Sequence, residues 1–133
     1  MAEPTKGLLD TSVVIDLDVI DPARLPEETA IAAVTLAELV AGPHATDDQQ
    51  EKARRQDRLL WAASRWDALP FDAGAARAYG RAFAATRAGG RSSRPRLADL
   101  LIASTAAANA LSLYTRNPDD FAGLEEIVTV IAV

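Results

Sequence analysis

The chain has 133 residues and a net charge of −5, with 49% apolar and 25% charged residues. This composition excludes a disordered chain and allows one domain, residues 1–133, with a full hydrophobic core. The absence of cysteine and the single histidine exclude disulfides, thiol catalysis and Cys- or His-rich zinc sites. No apolar run approaches the ~20 residues that span a bilayer, so we expect a cytoplasmic protein without membrane contact.

Short apolar strands alternate with amphipathic helices along the chain. The predicted strands cover residues 7–10, 30–34, 68–71, 111–115 and 127–133. The predicted helices cover residues 13–18, 35–42, 47–67, 73–88 and 95–109. Wholly apolar strands that alternate with helices predict a mainly parallel sheet of four or five short strands, covered on both faces.

Acidic residues interrupt apolar stretches at widely separated positions. Asp10 follows the first predicted strand, Glu38 and Asp99 each lie within apolar helical segments, and Asp119 and Asp120 follow the strand at 111–115. A carboxylate in hydrocarbon must be paired, protonated or bound to a cation, and several converging carboxylates are commonly neutralised by a hard divalent cation. Because ligands bind at the carboxyl ends of parallel strands, the pattern predicts a Mg²⁺ or Mn²⁺ site and phosphodiester chemistry.

Each acidic position also has a purely structural interpretation. Asp10 could cap the helix that comes after it, although the two hydroxyl residues next in the chain are equally able caps. Glu38 fits a capping box that begins at Thr35, in which the glutamate folds back onto the cap amide. Residues 117–120 form a good turn sequence, since Asn-Pro begins a turn and aspartate can cap the next helical turn.

Four sequence blocks together resemble the signature blocks of PIN-domain ribonucleases. Within that family they resemble VapC, the toxin of bacterial toxin–antitoxin pairs. The blocks occur in the family's order and spacing, and the resemblance extends from about residue 7 to the C-terminus. They are LLDTSVVI at 8–15, VTLAEL at 34–39, LADLLIA at 97–103 and YTRNPDDF at 114–121.

The resemblance implies both a fold and an activity. The fold would be an α/β/α sandwich, and the activity a Mg²⁺-dependent endonuclease, with Mn²⁺ as a substitute, that cuts structured RNA such as tRNA or ribosomal RNA. Water activated by the metal would attack the phosphate, which leaves 5′-phosphate and 3′-hydroxyl ends. The resemblance also implies a homodimer and neutralisation by a cognate VapB-like antitoxin.

Carried over by position, the family's acidic metal ligands and catalytic residues match Asp10, Glu38 and Asp99. At the fourth acidic position the chain has Asn117, so Asp119 is expected to supply the missing charge. The side chains expected to support the site are Thr11, Ser12, Thr115, Asn117 and Asp120.

Basic residues are unevenly distributed along the chain. The negative net charge argues against a nucleic-acid partner, but a local cluster of arginines argues for one. The segment 73–98 contains no acidic residue. It contains six arginines, namely Arg77, Arg81, Arg87, Arg91, Arg94 and Arg96. Arginine suits bidentate contacts to phosphate, although Arg77 and Arg81 are equally well explained as the solvent face of a helix. The predicted RNA contacts are Arg91, Arg94, Arg96 and Arg116.

Two alternatives stay open at this point. Asp16 and Asp18 come after an apolar run and resemble the D-x-D motif of haloacid-dehalogenase phosphatases, but neither Lys6 nor Lys52 opens a suitable helix. The other alternative is a non-catalytic PIN fold that binds RNA or a partner without cutting.

Overall fold

The computed structural model describes residues 5–91 and 96–133. The strands are β1 (Lys6–Leu9), β2 (Glu28–Ala30), β3 (Ser112–Thr115) and β4 (Val130–Ala132). The α-helices are α1 (Thr11–Ile15), α2 (Ala33–Ala41), α3 (Gln49–Arg65), α4 (Ala73–Ala88) and α5 (Leu97–Ala108). Single 3₁₀ turns lie at Leu17–Val19, Pro22–Arg24, Gly42–Ala45 and Pro118–Phe121.

The four strands form one parallel sheet in the order β2-β1-β3-β4. Leu8 of β1 pairs with Ala30 on one side and with Leu113 on the other. The predicted parallel sheet is therefore confirmed, and β1 lies in its interior, where its carboxyl end is flanked by neighbouring strands.

The predicted strand at 68–71 is wrong, because only one bridge forms there, between Leu69 and Ala32. Leu69 donates its amide to the Ile31 carbonyl at 2.9 Å and accepts from Ala33 at 2.8 Å. Pro70 comes next and has no amide hydrogen, so it cannot continue the ladder. The predicted strand at 30–34 is displaced for a related reason, since α2 already begins at Ala33.

The last predicted strand, 127–133, is shortened to its final part. The amides of Ile127 and Val128 both donate to the Leu124 carbonyl, so these residues complete a turn before β4 begins at Val130. The helix predicted at 47–67 begins at Gln49, because the Asp48 carboxylate accepts the amides of the first turn.

The core has two parts, one on each face of the sheet. Leu8 and Leu113 pack with α5 and α4 on one face, whereas Leu9 and Tyr114 pack with α1, α2 and α3 on the other. Consecutive strand residues point to opposite faces, so one short strand supplies both cores. This arrangement confirms the α/β/α sandwich. No helix in the described ranges is long and apolar enough to cross a membrane.

Candidate active site

Asp10 stands directly after β1 and is only 5% exposed. Its amide donates to the Tyr114 carbonyl at 2.9 Å, which joins it to the adjacent strand β3. Its Oδ2 accepts hydrogen bonds from Ser12 Oγ at 2.7 Å and from Thr115 Oγ1 at 2.9 Å. The Asp10 side chain caps no helix amide, so the capping interpretation of this residue is wrong.

The two hydroxyls that bind Asp10 are themselves fixed by the loop after β3. Ser12 Oγ accepts the Arg116 amide at 3.1 Å, and Thr115 Oγ1 accepts the Asn117 amide at 3.0 Å. Each hydroxyl therefore accepts from the backbone and donates to the carboxylate. This network sets the position of Asp10 before any ligand binds.

The second oxygen of Asp10 is available to a ligand. Every hydrogen bond that described residues make to this carboxylate falls on Oδ2. Within 5–91 and 96–133 no buried side-chain oxygen lacks a partner, so Oδ1 must reach solvent. A carboxylate with one oxygen held and the other open is arranged to bind a cation.

Glu38 lies on α2 and is exposed to solvent. Thr11 Oγ1 lies 2.6 Å from Glu38 Oε1, to which it donates, and 3.0 Å from Thr35 Oγ1. Thr35 is fully buried within α2, and the residue that caps this helix is Ala32. The capping-box interpretation of Glu38 is therefore wrong.

Asp99 lies in the first turn of α5 and is half-buried. Burial raises the pKa of Asp99 to about 6, and the negative charges of Asp10, Asp120 and Glu38 contribute to the increase, opposed by Arg96. Three other carboxylates thus lie close enough to Asp99 to disfavour its ionised form. The fold brings together four acidic residues from four separate segments.

The fourth carboxylate of this group belongs to Asp120. Asp119 and Asp120 both lie in the 3₁₀ turn after β3, and the Arg96 Nη1 donates to their carbonyls at 3.2 Å and 2.7 Å, respectively. Of these two aspartates, only Asp120 contributes its charge to the raised pKa of Asp99. The expectation that Asp119 completes the site stays a prediction, and the electrostatics favour Asp120. Asn117 is exposed beside this turn.

Three of the four arginines expected to contact RNA are engaged with the protein in this structure. Arg91 donates to the Ala122 carbonyl at 3.2 Å, and Arg96 bonds to the turn at 118–121. Arg116 forms an ion pair with Asp16 at 3.2 Å and donates to the terminal carbonyl at 133 at 3.1 Å. Arg94 lies outside the described residues. Asp16, the first aspartate of the D-x-D alternative, is thus paired with an arginine.

The donor set fits a divalent cation, with adjustment of the exposed side chains. Within the described ranges no three Asp, Glu or His side chains are already placed to hold a metal ion together. Glu38 and Asp120 are exposed and can rotate, whereas Asp10 is fixed. Oxygen-only donors whose negative charges raise the pKa of Asp99 are the chemistry that Mg²⁺ and Mn²⁺ neutralise.

Sequence reasoning did not assign Thr35 to the site. Thr35 is buried and contacts Thr11, which in turn binds Glu38. The sequence did contain a signal for this contact. Thr35 lies three residues before Glu38 in the same helix, and residues three apart share a helix face. The capping-box pattern at the same two positions favoured a different interpretation.

Comparison with known proteins agrees with this geometry. Residues 8–126 match the PIN domain family. The chain belongs to the PIN-domain family. It is 38% identical over 130 residues to ribonuclease VapC5 of Mycobacterium tuberculosis. The alignment covers 96% of this chain and 93% of that protein. It is 37% identical over 101 residues to ribonuclease VapC8 of the same species. That alignment covers 75% of this chain and 89% of that protein.

A solved structure gives the same assignment. The crystal structure of VapBC-5 from M. tuberculosis, a member of the VapBC family of toxin–antitoxin systems, matches with a TM-score of 0.86 and 38% identity. The match covers 98% of this chain and 100% of that chain. The protein is therefore a PIN domain of the VapC type, as the four sequence blocks predicted.

Proposed function

We propose that this VapC-type PIN domain is a Mg²⁺-dependent endoribonuclease toxin that hydrolyses phosphodiester bonds in structured RNA, such as tRNA or ribosomal RNA. The observation that supports it best is the raised pKa of Asp99, to about 6, caused by burial and by three neighbouring carboxylates. A carboxylate perturbed by both burial and neighbouring like charges is typical of a catalytic site.

The metal would be held by Asp10, Glu38 and Asp99, with the fourth carboxylate from Asp120 or Asp119. A Mg²⁺ ion bound there, for which Mn²⁺ substitutes, would polarise the phosphoryl oxygen and lower the pKa of the attacking water.

The protein's own groups hold this arrangement in place. Ser12 and Thr115 fix one oxygen of Asp10, so the other oxygen keeps its direction. Thr11 restrains the exposed Glu38 through the hydrogen bond to Oε1. Asp99 carries a proton more readily than an ordinary aspartate and must release it when a cation arrives, so the Mg²⁺ concentration needed for half-maximal cleavage should rise as the pH falls below about 6.

A VapB-like antitoxin is the proposed partner. The similarity to the toxin of the VapBC-5 complex, which is a toxin–antitoxin assembly, supports this partner. Neutralisation by that antitoxin, homodimerisation and a cytoplasmic location are part of the same proposal.

Cleavage of a total tRNA pool tests the proposal. We expect fragments with Mg²⁺ and none with EDTA, and none from Asp10→Ala under either condition. The matched control is Asp67→Ala, which removes an exposed carboxylate outside the site and should keep full activity.

The ends of the fragments test the chemistry. Attack by water leaves 5′-phosphate and 3′-hydroxyl ends, whereas 2′,3′-cyclic phosphate ends would contradict the proposed role of the carboxylates. Sequencing these ends would also identify the cut site. A protein that binds the RNA but leaves it intact with Mg²⁺ would instead be a non-catalytic PIN fold.

A further inference from the structure

A cavity of about 370 Å³ opens beside Glu38, between α1, α2 and α3. Thr11 and Glu38 line it on the side of the carboxylates, and Arg55 and Arg58 of α3 line the opposite wall with Glu51. Its volume is within the range of ordinary ligand sites. A ligand in the carboxylate site therefore has room to extend toward α3.

The charges of this α3 wall are unequally paired. Glu51 accepts from both Arg54 and Arg55, and Arg55 also donates to the Gly42 carbonyl at 2.8 Å. Arg55 is thus fixed in place. Among the α3 residues that line the cavity, Glu51 therefore balances Arg55, and Arg58 supplies the net positive charge of this wall.

Arg58 lies one turn further along α3 and faces the same cavity. Its side chain is half-buried, yet among the described residues its guanidinium forms no ion pair and no hydrogen bond. No buried side-chain nitrogen in the described ranges lacks a partner, so the guanidinium of Arg58 reaches solvent at the cavity. Its donors are therefore open to an anionic ligand.

We propose that this cavity binds a backbone phosphate of the RNA strand next to the scissile bond, and that Arg58 is its principal contact. The inference rests on the proposed ribonuclease function. An RNA strand that places one phosphate at the carboxylates has further phosphates on either side, and these need cations. The planar guanidinium of Arg58 can form two parallel hydrogen bonds to one phosphate.

The cavity also explains how RNA can approach an acidic centre. Glu38 and Arg58 face the same space, so negative and positive charge lie on opposite walls. A divalent cation would neutralise the carboxylate wall, while the arginine wall would attract the strand. Metal binding and RNA binding would therefore occur side by side.

RNA affinity measured by fluorescence anisotropy tests this proposal. Labelled total tRNA is titrated with Asp99→Asn protein, so that the RNA stays intact, and the titration is repeated over a range of salt concentrations. Adding Arg58→Gln should weaken binding about tenfold at low salt. The slope of log affinity against log salt should fall by roughly 0.7–0.9, which corresponds to one phosphate contact.

Two further variants separate the local contact from general effects. Arg24→Gln removes the same charge from an exposed turn and should leave both the affinity and the slope unchanged. Arg58→Lys keeps the charge and should retain the slope while losing part of the affinity. A thermal melt of each variant verifies that it is folded.

Cleavage kinetics then distinguish this proposal from the function on which it rests. Arg58→Gln in the active enzyme should raise KM with kcat nearly unchanged, since the contact is made before and during the reaction alike. If the unsubstituted enzyme cuts RNA and Arg58→Gln keeps its KM and its salt slope, the phosphate proposal is overturned. If the unsubstituted enzyme cuts no RNA with Mg²⁺, the proposed function itself fails.

Discussion

The two halves of the proposed active site are built differently. On the strand side, Asp10 is 5% exposed and Thr115 is fully buried, and their hydrogen bonds join β1 to the loop after β3. On the helix side, Glu38 and Asp120 are exposed, and Thr11 is the hydroxyl that restrains Glu38. One half is fixed by the fold, whereas the other can still move.

This difference indicates that the two sides of the site have different roles. A buried carboxylate with two hydroxyl donors keeps one geometry because any rotation would leave polar groups unpaired. An exposed carboxylate has no such penalty and can rotate to meet a ligand. We therefore expect the strand side to determine where a cation binds and the helix side to close around it.

The largest expected effect on RNA cleavage is that of Asp99→Asn. Asp99 lies between the two halves. The change removes a negative ligand while preserving shape, so RNA cleavage should fall at least ~10³-fold, to below detection. Isothermal titration with Mn²⁺ should show weaker binding in the same variant. An Asp99→Asn protein that still cuts RNA would end the carboxylate-site hypothesis.

Thr115→Val and Thr11→Val compare the two halves directly. Thr115→Val leaves Asp10 and the Asn117 amide without their buried partner, so it should lower the free energy of unfolding by about 1–3 kcal/mol. Thr11→Val removes the donor to the exposed Glu38 and one partner of the buried Thr35 hydroxyl, so it should cost about 1 kcal/mol, less than Thr115→Val. Urea denaturation in EDTA measures both values. A larger cost for Thr11→Val would contradict the proposed difference between the halves.

The pH dependence of stability sharpens the comparison at Asp99. Its pKa rises from 3.8 to about 6 in the folded state, so between these values the folded protein binds more protons than the unfolded chain. Stability should therefore decrease as the pH rises from about 4 to about 6, and this loss should be absent from Asp99→Asn. Because Asp99 is only half-buried, we expect the difference at pH 7 to be about 1–2 kcal/mol. Denaturation of both proteins in EDTA at pH 4 and 7 measures it, and equal pH profiles would contradict it.

The smallest expected effect is that of Thr35→Val, which acts on Glu38 only through Thr11. Loss of the buried hydroxyl should reduce stability by about 0.5–1.5 kcal/mol. It should also raise the Mg²⁺ concentration needed for half-maximal cleavage a few-fold, without a change in activity at saturation. Thr35→Ser should restore the metal dependence, whereas a loss of activity at saturating Mg²⁺ would show that Thr35 has a different role.

Several features of the fold were predictable because they depend on local pattern. The capping of α4 by Asp72 is evident from its sequence and is confirmed by a 3.0 Å bond from the Ala75 amide to Asp72 Oδ1. The absence of a strand at 68–71 was not predictable from the apolar residues there, because whether Leu69 pairs with one residue or several depends on where the neighbouring chain turns into α2.

By itself, the sequence determined which acidic residues interrupt apolar segments, and their order and spacing identified the PIN-domain family. Only the tertiary structure decided that Asp120 rather than Asp119 affects Asp99, and that Thr35 contacts Thr11. The reason is physical. Periodicity reports which face of one element a residue occupies, but residues far apart in sequence meet only where separate elements cross, and those crossings are set by how the two cores pack.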